Sequence, residues 1–161
     1  MIQKVIFCVL VSCLISSSAS AATTAEAEAL VRWKSSLSGS LPLGSWRLSD
    51  KQNVCNWTGI LCDSFNSITS INLTNAGLDG RLTSFSFSAF RKLTSLDLSS
   101  NSLTGQIPLS IGNLSKLSHL DLNTNLFDGF IPREIGLLSE LEFLSLFNNN
   151  IGSEIPVEVS N

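Results

Sequence analysis

Tyrosine is missing from this 161-residue chain, and histidine and methionine occur once each. Charge is sparse as well: Asp, Glu, Lys and Arg make up 14% of the residues, 10 basic against 13 acidic. No basic cluster occurs, so nucleic acid is not an expected partner. Four cysteines are present, but Cys8 and Cys13 belong to the first segment. There Lys4 precedes an apolar run from Val5 to Ile15, and Ala19-Ser20-Ala21 supplies the small-x-small pattern of a cleavage site. This predicts a secretory signal peptide over residues 1–21, too short to span a membrane. The mature chain then starts near Ala22, keeps 140 residues, and carries a net charge of −4 once Lys4 is lost. Only Cys55 and Cys62 remain, and the single histidine, His119, is far away in sequence, so four zinc ligands are not available. A close cysteine pair in a secreted chain predicts a local disulfide, and the C-x6-C spacing excludes a CxxC redox motif. No long hydrophobic run follows residue 22, so no membrane span is expected within this chain.

Leucine and serine are abundant, with 26 and 28 copies, and such a skew points to a repeat. Leu93, Leu96, Leu98, Asn101, Leu103, Gly105, Ile107 and Pro108 open one unit. Leu117, Leu120, Leu122, Asn125, Phe127, Gly129, Ile131 and Pro132 open the next, 24 residues on. After 24 more come Leu141, Leu144, Leu146, Asn149, Ile151, Ile155 and Pro156. A degenerate copy runs from Ile68 through Ile71, Leu73 and Leu78 to Gly80, at a spacing of 25. The shared pattern, LxxLxLxxNxL, is that of a leucine-rich repeat.

Each position has a physical role. LxxLxL alternates apolar and polar residues, which predicts a short strand with one buried face. Stacked units then form an α/β solenoid with a parallel concave sheet and one continuous leucine core. Asn101, Asn125 and Asn149 sit where the chain leaves the strand and are expected to satisfy backbone groups of adjacent turns. Gly105 and Gly129 suit a conformation or close approach that a Cβ obstructs. Pro108, Pro132 and Pro156 suit a short extended segment. The repeats therefore span residues 68–92, 93–116, 117–140 and an incomplete 141–161. Residues 22–67 are expected to cap the N-terminal end. Thr23-x-x-Glu26 reads as a capping box, and Leu30, Trp33 and Leu37 as one helix face stopped by Gly39. Trp46, Trp57 and Ile60 add apolar bulk.

Three stretches, Ala29–Leu37, Gly44-Ser45-Trp46 and Cys55-Asn-Trp-Thr-Gly-Ile-Leu-Cys62, closely resemble the N-terminal cap of plant leucine-rich-repeat receptor-like kinases. The segments Ile107-Pro108 to Leu114 and Ile131-Pro132 to Leu138 are similar to the plant-specific repeat subtype. The Phe-rich Ser84-Phe85-Ser-Phe87-Ser-Ala-Phe90 most resembles the MDIS1-interacting receptor-like kinase subgroup. The resemblance implies an extracellular region that binds a peptide ligand or a receptor or co-receptor ectodomain, and no cofactor. It places the chain in the secretory pathway, at the outer plasma membrane in a full-length receptor and otherwise secreted or in the wall. Family members continue into more repeats, a membrane helix and a Ser/Thr kinase. The glycine-rich loop, Val-Ala-Ile-Lys, His-Arg-Asp and Asp-Phe-Gly motifs of a kinase do not occur here, so this chain is not expected to be an enzyme. The sequence departs from the family at Ala76 (for Asn), Leu82-Thr83 (for Ile-Pro) and Ser153 (for Gly), and it stops within its fourth repeat. A receptor fragment is the leading expectation. A secreted kinase-less protein, such as a cell-wall hydrolase inhibitor, and a non-functional truncated product are the alternatives.

The polar strand positions are the candidate binding face: Ser70, Asn72 and Thr74, then Ser95, Asp97 and Ser99, then His119, Asp121 and Asn123, then Phe143, Ser145 and Phe147. The last triplet stands out, because aromatics at such positions are enriched in binding hot spots. His119 beside Asp121 lacks an accompanying nucleophile, so no catalytic site is expected. Sequons place candidate N-glycans on Asn56, Asn72 and Asn113. A glycan on Asn72 would block the first repeat and favour binding further along.

Overall fold

The computed structural model describes residues 23–39, 42–152 and 154–159. The expected signal peptide, Ala22 and Ser153 lie outside these residues. Residues 23–34 form helix α1. It ends earlier than the Leu30, Trp33, Leu37 spacing implies. Ser35 and Ser36 turn their hydroxyls back onto the carbonyls of Arg32 and Trp33, each at 2.7 Å. Such bonds compete with a further helical turn. The Ser38 N–H then donates to Asp79 at 2.7 Å, which draws the chain onto the repeats. Leu37 packs half-buried beyond the helix, and Gly39, with φ +87°, lies well past its end. Thr23 and Glu26 take tertiary partners. The Thr23 hydroxyl donates to Asn66 at 3.1 Å, and the Glu26 carboxylate accepts the Ile68 N–H at 3.3 Å.

In chain order the strands are β1 (Ile60–Cys62), β2 (Ile68–Asn72), β3 (Asp79–Arg81), β4 (Ser95–Asp97), β5 (Ser102–Gln106), β6 (His119–Asp121), β7 (Leu126–Gly129), β8 (Phe143–Ser145) and β9 (Asn150–Ile151). They build two sheets, ordered β1-β2-β4-β6-β8 and β3-β5-β7-β9. The first is the expected parallel sheet, with one addition. Strand β1, inside the cap, pairs antiparallel with β2 and makes the cap part of the sheet. The Cys55–Cys62 disulfide closes the loop that leads into β1. The second sheet comes from the LxGxI segments. Gly105 and Gly129 hold φ of +76° and +79° there, a region a Cβ disfavours.

The asparagines satisfy the turns between the two sheets. Asn125 accepts the Leu103 N–H through Oδ1 at 3.0 Å and donates through Nδ2 to the carbonyls of Leu98, Leu122 and Asn123. Asn101 and Asn149 repeat the scheme on Leu78 and Phe127. Each amide therefore stitches two units together through groups that burial would otherwise orphan. The residue before each of these amides adopts a left-handed backbone: Ser100, Thr124 and Asn148 have φ of +57°, +52° and +53°.

Pro108 and Pro132 are extended, with φ of −67° and −61°, and each leads into a 3-10 turn, Leu109–Asn113 and Arg133–Leu137. Successive turns stack closely. A Cβ on Gly112 would stand 2.9 Å from the Glu134 carbonyl oxygen, and one on Gly136 would run into that of Glu158. The glycine of the IGxL segment thus allows neighbouring backbones to touch.

Inside, Leu96, Leu98, Leu103, Leu120, Leu122 and Phe127 are all fully buried. At the N-terminal end the core becomes aromatic. The Trp33 ring meets Phe85 edge-on at 4.9 Å and lies 6.4 Å from Trp46, which stacks on Trp57 at 6.1 Å. Phe85 also contacts Phe87 and Phe90, at 4.8 and 5.0 Å. The Trp33 indole donates to Arg81, and that of Trp46 to Thr58, both at 3.0 Å. The Phe-rich segment, which stands in place of Ile-Pro, is the seat of the cap.

Candidate functional site

The register of the five-stranded sheet sorts the candidate residues into rows. Ser70, Ser95, His119 and Phe143 are successive partners across β2, β4, β6 and β8. Asn72, Asp97, Asp121 and Ser145 form the next row. Thr74, Ser99, Asn123 and Phe147 follow as the strands end, tied by backbone bonds such as Thr124 N–H to Phe147. The repeat spacing therefore puts all twelve on one face. Two of them contribute little accessible surface. Ser99 and Ser145 are buried, because a short side chain lies in the floor between longer neighbours. The Ser99 hydroxyl is also taken up by Asp97 at 2.7 Å.

The second row carries a repeated turn. Oδ1 of Asn72, Asp97 and Asp121 accepts the N–H two residues on, from Thr74, Ser99 and Asn123, at 3.0–3.1 Å. Asp121 also accepts Asn123 Nδ2 at 2.6 Å. Each carboxylate is thus held by one oxygen. Of the outer oxygens, that of Asp97 has only Asn72 Nδ2, at 3.5 Å, and that of Asp121 has no hydrogen bond among the described residues.

The first row ends in an aromatic stack. The rings of His119 and Phe143 lie 4.3 Å apart and 5° from parallel. Phe143 is 43% exposed and Phe147 67% exposed, on a sheet whose other positions are small or polar. Asp97, His119 and Asp121 offer polar atoms that all lie within 4.8 Å of one another. None of the four ion pairs among the described residues involves them.

Asn56, Asn72 and Asn113 are exposed, at the last residue of a 3-10 turn, the last residue of β2 and the last residue of another 3-10 turn. Sequence reasoning did not find β1, the second sheet or the left-handed residues. Asn75 and Asn148, which tolerate that conformation, were the available signal for the last of these.

The chain matches the leucine-rich-repeat N-terminal domain over residues 24–63 and the leucine-rich-repeat family over residues 91–151. MDIS1-interacting receptor like kinase 2 of Arabidopsis thaliana is 40% identical over 114 residues, which cover 68% of this chain and 10% of that protein. The BIR2 ectodomain of Arabidopsis thaliana superimposes with a TM-score of 0.76 at 31% identity, covering 84% of this chain and 73% of that one. The Arabidopsis receptor kinase HAESA ectodomain, in complex with an extended IDA peptide hormone ligand, gives 0.67 at 31% identity, covering 83% and 22%. Among the described residues no helix is long and apolar enough to cross a membrane.

Proposed function

The chain belongs to the plant leucine-rich-repeat family of receptor-kinase ectodomains, and from that premise we propose that its five-stranded face binds a peptide ligand or a second ectodomain outside the cell. The observation that carries this reading is the His119–Phe143 stack with Phe147 beside it, exposed on an otherwise polar sheet. Exposed aromatics of this kind are the usual anchors of a binding site. The polar neighbours supply donors and acceptors for a peptide backbone. The HAESA ectodomain, at 31% identity, takes a peptide hormone, which supports the peptide over a small molecule.

The remaining expectations join this reading. Residues 1–21 direct export, residues 22–67 form the cap, and units at 68–92, 93–116, 117–140 and 141–161 carry the face. Glycans on Asn56 and Asn113 leave the sheet clear, whereas one on Asn72 confines the ligand to β4, β6 and β8. In a full-length receptor, the kinase activity carried in the relatives' names would lie outside the matched stretch.

The test compares the secreted chain with a Phe143→Ala/Phe147→Ala variant against displayed peptides and soluble plant ectodomains. Partners of the parent should be lost by the variant while its melting temperature stays close. A partner retained at full strength would remove the concave face from consideration.

A further inference from the structure

Resting on the concave-face reading, we propose that Asp97 and Asp121, with the His119–Phe143 stack beside them, receive a cationic side chain of an extended peptide, arginine above all, one residue removed from an apolar side chain.

The two carboxylates are direct partners in the parallel register of β4 and β6. Like charges directly opposite in a sheet repel. The repulsion has no internal remedy, since none of the ion pairs among the described residues reaches them and none of the twelve positions of the face is Lys or Arg. Both carboxylates are held in place, because Oδ1 of each is bound to the N–H two residues on at 3.0 Å. Their outer oxygens, weakly engaged on Asp97 and free on Asp121 among the described residues, point to the same need. A cation that bridges them gains two charge-assisted bonds at little ordering cost.

Two cations deserve comparison. A divalent ion held at about 2.1 Å by a tetrahedral ligand set draws its ligand atoms to about 3.4 Å from each other. Here the atoms of Asp97, His119 and Asp121 spread over distances up to 4.8 Å, and His119 already lies flat on Phe143. A guanidinium is wider. Its N–H groups point outward, each reaching an oxygen at about 2.8 Å, so it spans such a gap without closing it. The faces of the neighbouring rings also favour a cation.

The spacing then defines the peptide. Strands lie about 4.8 Å apart, so the midpoint of β4 and β6 is about 7 Å from Phe143 on β8. Side chains on one face of an extended peptide repeat every 6.6–6.8 Å or so. A peptide that crosses the strands therefore places its cation over the aspartates and the side chain two residues away over Phe143. Ser145, buried in the floor, leaves the path open.

The experiment pans a random dodecapeptide phage library on the full chain and, in parallel, on an Asp97→Asn/Asp121→Asn variant. Asparagine keeps the Oδ1 acceptor, as Asn72 does in β2, so the turns are retained and an unchanged melting curve verifies this. Selection on the parent should enrich Arg or Lys two positions from Leu, Phe or another apolar residue. A resynthesised winner should weaken about tenfold or more on the variant, and equally when its arginine becomes citrulline. Winners without a basic residue that still require Phe143 would overturn this proposal and leave the concave-face reading standing. Winners indifferent to both the Asp and the Phe variants would overturn both. Binding of Zn2+ alone that His119→Ala abolishes, with peptide binding dependent on that ion, would replace the guanidinium by a metal. A library that enriches nothing also overturns the proposal.

Discussion

The two ends of the solenoid are built to different rules. At the N-terminal end the core closes on an interlocked aromatic cluster, with Trp33, Trp46, Trp57, Phe85, Phe87 and Phe90 all buried. Strand β1 covers the sheet edge, and the disulfide and Glu26 tie cap to repeat. At the other end the equivalent leucines thin out. Leu120 and Leu122 are fully buried, whereas Leu144, Leu146 and Ile151 are only partly so, and Ile155 and Val157 are 65% and 72% exposed. The same motif therefore carries different energies according to whether a unit stacks beyond it. A solenoid draws its stability from neighbour interfaces, and a unit with one interface holds about half of what an interior unit holds.

Mutations sharpen the contrast most at Trp33. Trp33→Ala removes a buried indole, its bond to Arg81 and its contact with Phe85, and should cost about 3–5 kcal/mol. Leu144→Ala, at the open end, should cost about 1–2 kcal/mol, since the site is half solvated. Denaturant titration of both variants checks this, and equal losses would erase the distinction between the ends. The amides come next. Asn125→Ala leaves the Leu103 N–H and three carbonyls short of a partner in a buried site, and a loss of about 2–4 kcal/mol is expected. The same change at Asn149, nearer solvent, should cost about half as much.

Opening the disulfide acts only on the closed end. A ring this short contributes about 2–3 kcal/mol by constraining the unfolded chain, so Cys55→Ser/Cys62→Ser should lower the melting of the cap more than that of residues 93–140. Hydrogen exchange resolved by segment reads both. Uniform loss of protection would mean that cap and repeats melt as one unit.

Glu26 gives the smallest effect, and it depends on pH. Burial pushes its carboxyl from the ordinary 4.5 up to about 7, against the opposing pull of the Ile68 N–H. With the folded value above the unfolded one, the native state holds the extra proton. Its contribution is full below 4.5 and is lost as pH rises through about 7. The parent should therefore melt at a lower temperature at neutral pH than at 4.5, and Glu26→Gln should flatten that part of the curve. An unaltered slope in the variant would assign the dependence elsewhere. In the unmodified protein, exchange at residues 141–151 should be faster than at 93–116, and equal protection would contradict the one-sided packing of β8 and β9.

Much of the molecule was legible as pattern. Leucines at the LxxLxL positions declared the buried face, the 24-residue spacing placed the concave residues in one register, and each asparagine met the backbone as its position required. These inferences succeeded because they are local or periodic: a strand alternates, a turn has orphan groups, and identical units must stack alike. Other features were not readable, because they depend on which distant group comes near. Nothing in Thr23-x-x-Glu26 says that the carboxylate will meet Ile68, 42 residues on. Neither does Phe85 announce Trp33 as its partner, nor His119 the flat face of Phe143. The alternation of Leu and polar residues alone determined the solenoid and its binding face. Tertiary stacking decided how the cap locks, where two carboxylates are left without a cation and which end of the core stays half open, since burial and charge pairing are set by the neighbours a residue acquires only when the chain has closed.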